Sequence, residues 1–128
     1  MTRYSYNRQV DPPAPFLYLA LASPDHPAWL ERVPMLVDTG ADITTLPRKL
    51  VAELRLLQFS EVLVSGFDES PRLCDTYLVK LRINEWQIGD AEVVLEDDSY
   101  GLLGRDILNQ CLITLDGPGL KLMIQYPA

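Results

Sequence analysis

The residues best suited to chemistry stand in one heptad, Leu36-Val37-Asp38-Thr39-Gly40-Ala41-Asp42. Two apolar residues lead into an aspartate, and a hydroxyl, a glycine, a small residue and a second acid follow it. The apolar lead-in predicts a buried strand, and Gly40 lets the chain turn sharply and approach another backbone. A carboxylate carried out of a core strand onto such a turn is held rigidly, as general acid–base chemistry requires. Asp-Thr-Gly is also a good turn sequence with no chemistry attached. A third reading makes Asp38 and Asp42 the acid pair of an unrelated β-domain hydrolase. A second stretch, Tyr100-Gly101-Leu102-Leu103-Gly104-Arg105-Asp106, joins a buried apolar pair to a glycine that permits tight packing and to the start of a short helix.

The other reactive side chains offer less. His26 is the only histidine, so one chain cannot build a multi-histidine metal site. A Ser-His-Asp or Cys-His mechanism would have to use His26, which sits in the turn-like Pro24-Asp25-His26-Pro27 and reads as a solvated loop residue. Cys74 and Cys111 are two thiols far apart in sequence. They are expected to be reduced in a cytoplasmic protein, with a single disulfide as the alternative. No metal and no cofactor is expected.

Composition bounds the partners. A chain of 128 residues, 48% apolar, is one folded domain with a real core and no room for two lobes. A net charge of −7 disfavours a phosphate-binding surface, so no nucleic-acid partner is expected. No apolar run reaches membrane-span length and the N-terminus lacks a signal-peptide pattern, so no membrane association is expected.

The elements that must position the heptad follow from pattern. Residues 1–15 are polar and end in Asp11-Pro12-Pro13-Ala14-Pro15, an arm rather than core. Tyr4 and Tyr6 alternate with polar residues there, which permits either a short added strand or a loose tail. Residues 16–128 form the domain. Strands are predicted at 16–22, 29–37, 43–46, 61–65, 73–83, 86–88, 91–95, 112–115 and 120–125. Residues 48–57 read as a helix entered through Pro47, with Leu50, Val51, Leu54 and Leu57 on its core face. Residues 105–110 read as a short helix. Residues 61–83 form a hairpin with a polar tip near Asp68-Glu69-Ser70, and Glu96-Asp97-Asp98-Ser99 is a solvated acidic turn. The fold class is all-β, closed or sandwiched, with one or two short helices.

Taken together and in this order, the Asp38 heptad, the hairpin, Leu102-Leu103-Gly104-Arg105-Asp106 and the last strand resemble the retropepsin-like aspartic proteases, the retroviral enzymes and their single-domain cellular and bacterial relatives. The resemblance runs from about Phe16 to Gln125. Three features depart from the viral pattern: Phe67-Asp68-Glu69-Ser70-Pro71 replaces a glycine-rich flap tip, the N-terminal arm is longer, and Asp106 follows Arg105. The resemblance implies a closed acid-protease barrel and an endopeptidase with Asp38 as catalytic carboxylate. Thr39 and Gly40 would support the active-site turn. Gly40, Ala41, Asp42, Ser65, Gly66 and Phe67 would bind a peptide as an extended strand. It also implies an ion pair of Asp42 with Arg105 near a dimer interface. One Asp-Thr-Gly supplies one carboxylate, so the site would need a homodimer. An inactive peptide-binding or assembly module is the alternative. The alternating strand at 120–125 is expected to have a free edge, and that edge together with the Asp38 turn is expected to carry the dimer contact.

Overall fold

The computed structural model describes residues 2–65 and 70–127. Its organising strand is β2 (Phe16–Ala22), which is buried at every position but Tyr18. Such a run of apolar residues needs cover on both faces and neighbours on both edges. On one edge β2 pairs antiparallel with β3 (Leu30–Val37), Phe16 opposite Leu36. On the other it pairs antiparallel with β6 (Arg72–Ile83), Leu21 opposite Leu81. This second pairing closes the sheet. The ring runs β2-β3-β8-β4-β7-β6 and back to β2, where β4 is Thr45–Pro47, β7 is Trp86–Glu96 and β8 is Gly101–Leu103. The fold is thus mostly β, a closed six-stranded barrel. Strand β5 (Gln58–Val64) lies outside the ring, paired only with β6.

The barrel interior is filled by Leu17, Leu19, Leu21, Met35, Leu46, Val79, Leu81, Ile83, Val93 and Leu103, all fully or almost fully buried. Each such side chain contributes about 1.5–3 kcal/mol by leaving water. A separate three-stranded sheet has the order β1-β10-β9, with β1 at Thr2–Ser5, β9 at Leu112–Asp116 and β10 at Lys121–Gln125. Leu122 and Ile124 of β10 drop fully into the core.

The ladder edges of residues 120–125 are therefore not free, contrary to expectation. β10 is the middle strand, with Tyr4 of β1 opposite Leu122 on one side and Leu115 of β9 opposite it on the other. The reason lies in the two tyrosines of the amino-terminal segment. The Asn84 amide at the β6–β7 turn donates to the hydroxyls of both Tyr4 and Tyr126, and Tyr6 packs against the core. That clasp fastens β1 beside β10.

The long helix is also corrected. Helix α1 spans only Leu50–Leu54, and Pro47 belongs to β4. Arg55 takes a left-handed conformation, φ 58°, and its N–H closes back on the carbonyls of Ala52 and Val51. This resets the phase, so Leu56 turns inward and Leu57 is left 71% exposed. The two segments at 86–88 and 91–95 are one strand. Lys80 faces Asp90 and the next residue, Leu81, faces Ile88, so Gly89 is the extra residue of a β-bulge. Helix α2 is Arg105–Leu108. Among the described residues no helix is long and apolar enough to cross a membrane.

Candidate active site at the Asp38 turn

β3 and β8 run parallel, with Leu36 opposite Leu102 and Val37 opposite Leu103. They end together, and the backbone beyond them is tied across. Val37 N–H donates to Pro15 O (2.9 Å) and Asp38 N–H to Leu103 O (3.1 Å). Asp38 thus leaves the barrel at a fixed point, half-buried. Its carboxylate Oδ1 accepts from Gly40 N–H (2.9 Å), and its carbonyl accepts from Ala41 N–H (3.2 Å). Among the described residues Oδ2 accepts no hydrogen bond. Thr39 and Gly40 are exposed.

Arg105 clamps the turn from the start of α2. Its backbone N–H donates to Ala41 O (2.9 Å), and its guanidinium donates to Thr39 O (2.6 Å) and pairs with the Asp42 carboxylate. The pair is open to solvent on the single chain, 44% at Arg105 and 85% at Asp42. Gly104 makes the close approach possible. A Cβ there would lie 2.8 Å from the Ile43 carbonyl carbon and 3.0 Å from Ala41 O, so no side chain fits.

Behind this clamp stands a polar joint to which the sequence reading assigned no role. Thr44 is fully buried. Its hydroxyl donates to Asp106 Oδ1 (2.7 Å) and accepts from Gly104 N–H (3.1 Å), while its N–H donates to Asp106 Oδ2 (3.1 Å). Asp106 Oδ1 also accepts from Ile107 N–H (3.0 Å). Next to it Thr45 Oγ1 accepts from Leu102 N–H (3.0 Å). The signal was present as adjacent hydroxyls in a segment otherwise suited to burial, since buried polar groups need partners.

A cleft of about 440 Å³ opens beside the turn. It is lined by Gly40, Ala41 and Asp42 of the turn, by the apolar Ile43, Val94 and Leu102, and by Val62, Val64, Ser65 and Arg72 of the β5–β6 hairpin. Four expected binding residues, Gly40, Ala41, Asp42 and Ser65, therefore share one cavity; Gly66 and Phe67 lie outside the described residues. His26 lines a different cleft with Trp29, Glu53 and Arg55. Cys74 and Cys111 are unbridged. Burial raises the Cys111 thiol above its ordinary value, and its S–H points to Leu108 O at 3.4 Å. Among the described residues neither a Cys-His nor a Ser-His pairing is assembled at Asp38. Asp42, the other acid of the heptad, is committed to Arg105.

A family model described as aspartyl protease matches residues 30–107, the span from β3 into α2 that contains both the Asp38 turn and its clamp. Among solved structures, the fold is similar to that of a retropepsin-like aspartic protease from Rickettsia conorii. The TM-score is 0.60 at 15% identity, over 96% of this chain and 89% of that one. It is also similar to the EIAV protease complexed with the inhibitor HBY-793, with a TM-score of 0.53 at 20% identity over 83% of this chain and 92% of that one. A foamy viral protease-reverse transcriptase matches with a TM-score of 0.53 at 19% identity, over 73% of this chain and 12% of that one. At these identities the likeness is one of fold. No curated protein matches the sequence.

Proposed function

Because this chain belongs to the aspartyl protease family, we propose that it is a homodimeric aspartic endopeptidase that cleaves peptides between two Asp38 carboxylates, one from each subunit. The observation that carries the reading is the Asp38 turn itself: one carboxylate oxygen held by Gly40 N–H at the paired ends of two core strands, beside a cleft walled by a hairpin. The sequence contains one Asp-Thr-Gly, so a second carboxylate has to come from a second chain.

Two carboxylates close together do not both ionise readily, and aspartic proteases are the standard instance of a pair sharing one proton. The ionised member takes a proton from the water that attacks the scissile carbonyl, and the protonated member gives its proton to the carbonyl oxygen. Collapse of the tetrahedral species then breaks the C–N bond, with a proton passed to the departing amine. Thr39 steadies the turn against its partner. Gly40 offers its carbonyl to substrate backbone, and Ala41, Asp42 and Ser65 with Gly66 and Phe67 hold an extended peptide. The β5–β6 hairpin closes over it. Two unbridged thiols favour work in the cytoplasm.

The test is a peptide library incubated with the protein, with and without pepstatin. Pepstatin-sensitive cleavage is the expected result. Peptide binding without cleavage would establish an inactive binding module instead.

A further inference from the structure

We propose that the outer edge of β5 docks a basic partner, an extended segment of another protein with the pattern apolar-x-Lys/Arg-x-apolar, which pairs with Gln58–Val64 and extends the seven-stranded sheet by one strand. The inference stands apart from the peptidase reading, since it needs neither Asp38 nor a second copy of the chain. β5 pairs only with β6, so its other edge has no partner among the described residues. Such an edge presents a row of backbone N–H and C=O groups to any strand that fits. Proteins commonly blunt free edges with Lys or Pro, and the sequence of β5 contains neither. Among the described residues, four of the seven exposed large apolar side chains belong to this hairpin or its lead-in: Leu57, Phe59, Leu63 and Leu73. Leu63 and Leu73 stand directly opposite each other, an apolar pair left in water. Clustered exposure of this kind marks an interaction surface.

Charge says what kind of strand fits. Glu61 faces Asp75 across the ladder, and like charges directly opposite are unfavourable. Asp75 accepts from the Gln58 amide (3.1 Å), whereas the Glu61 carboxylate has no partner among the described residues. Beside the start of β5, a cleft of about 320 Å³ lined by Leu57, Phe59 and Leu78 also carries Asp25 and Asp90, and no basic residue lines it. The apolar surface is therefore framed by carboxylates. On an added strand, a Lys or Arg opposite Glu61 would offset the pair of acids. Apolar residues two places to either side would reach Leu63 and Phe59. That pattern reads the same in both directions, so it serves a parallel or an antiparallel addition. A second copy of β5 would bring another Glu61 where the cation belongs. Val62 and Val64, which alternate with Glu61 and Leu63, line the cleft at Asp38, so the docking edge is distinct from that cleft's floor.

The experiment titrates wild type, with and without pepstatin, into a fluorescent peptide Thr-Leu-Thr-Lys-Thr-Leu-Thr and into its Lys→Glu counterpart, and reads anisotropy at neutral pH. The Lys peptide should bind at least about tenfold more tightly than the Glu peptide. Glu61→Lys sets a cation opposite Asp75, so the ladder is kept, and it should reverse that preference, with circular dichroism confirming a folded chain. Because alternate amides of an added strand point to its neighbour, N-methylating one alternate set of peptide amides should abolish binding, and methylating the other set should change it by less than about threefold. No binding at about millimolar protein, equal affinity for the two peptides, a preference that Glu61→Lys leaves as it was, or equal effects of the two methylated sets overturns the proposal. Displacement of the peptide by pepstatin would place it in the Asp38 cleft and overturn the β5 edge while supporting the peptidase. Sedimentation in which the peptide breaks up dimers of this chain would give the edge to a second copy and overturn the basic partner. Pepstatin-sensitive cleavage is read separately, so the peptidase stands or falls without changing any of these outcomes.

Discussion

At the scale of single residues, the proposed site separates into the Asp38 carboxylate and the groups that hold its turn. Asp38→Asn keeps the shape and the Gly40 contact but removes the ionisable group. Cleavage should fall by about 100- to 10,000-fold or more, the usual contribution of acid–base catalysis, with the oligomeric state unchanged. Substantial turnover in this variant would sink the assignment. Thr44 is the strongest of the holding groups. Thr44→Val has nearly the same volume but leaves Gly104 N–H without a partner and takes from Asp106 Oδ1 one of its two donors, so it should cost about 1–3 kcal/mol in denaturant unfolding; a loss near zero would mean water replaces the hydroxyl. The Asp42–Arg105 pair is worth less than its position in the sequence suggests. With both partners open to solvent, the pairing on a single chain is worth under about 1 kcal/mol. Arg105 also bonds Thr39 O, so Arg105→Ala should depress activity more than Asp42→Ala does, and equal effects on kcat/KM would mean that the carbonyl contact is idle. The strand-to-turn setting of Asp38 was legible because apolar residues lead into it and turn formers follow it. Thr44 was not, because nothing in a threonine between apolar residues says which distant carboxylate it will meet.

At the scale of elements, strand positions were legible wherever apolar runs were bounded by turn formers, as at Phe16–Ala22 and Arg72–Ile83. The helix at 48–57 was overread for a definite reason: periodicity does not register a single left-handed residue, and Arg55 ends the helix in mid-pattern. The amino-terminal strand was open to two readings, because what holds it is tertiary, the Tyr4–Asn84–Tyr126 clasp. That clasp leaves a signature in pH. Burial, and then the hydrogen bond with Tyr126, push the Tyr4 phenol up to about 12 from its ordinary 10. A group whose folded pKa lies above its unfolded one stabilises fully below the lower value and loses that contribution as pH rises through the upper. The clasp should therefore support the fold below about pH 10 and fade between about 10 and 12. In thermal melts across that window Tyr4→Phe should lose less stability per pH unit than wild type; parallel curves would show that the phenol plays no part.

At the scale of the whole molecule, the proposed reading gives a chain with one Asp-Thr-Gly in a closed barrel half of a two-carboxylate site. Specific activity should therefore fall faster than in proportion as the protein is diluted past its dimer dissociation constant, and an active monomer at the assay concentration would end the two-chain reading. A proton shared between the two carboxylates of the proposed dimer would also set its pH profile. The rate should be bell-shaped with an acidic to weakly acidic optimum, its limbs belonging to the pair and not to either Asp38. A rate still climbing into alkaline pH would indicate another mechanism. The placement of β5 outside the ring has a consequence for colloidal behaviour. Its far edge has no partner among the described residues, and Phe59 and Leu63 stand exposed along it. Glu61 sits between them, opposite Asp75 on β6. Two like charges face to face weaken a ladder slightly, and an acid inside an apolar edge strand discourages fibre-like stacking. Glu61→Val would relieve the repulsion and stabilise the fold by a few tenths of a kcal/mol, roughly the scale of one cross-strand pair. The same change would leave Gln58–Val64 an uncharged β-forming heptad, and the variant should turn cloudy on concentration where wild type stays clear, a difference that light scattering reads directly.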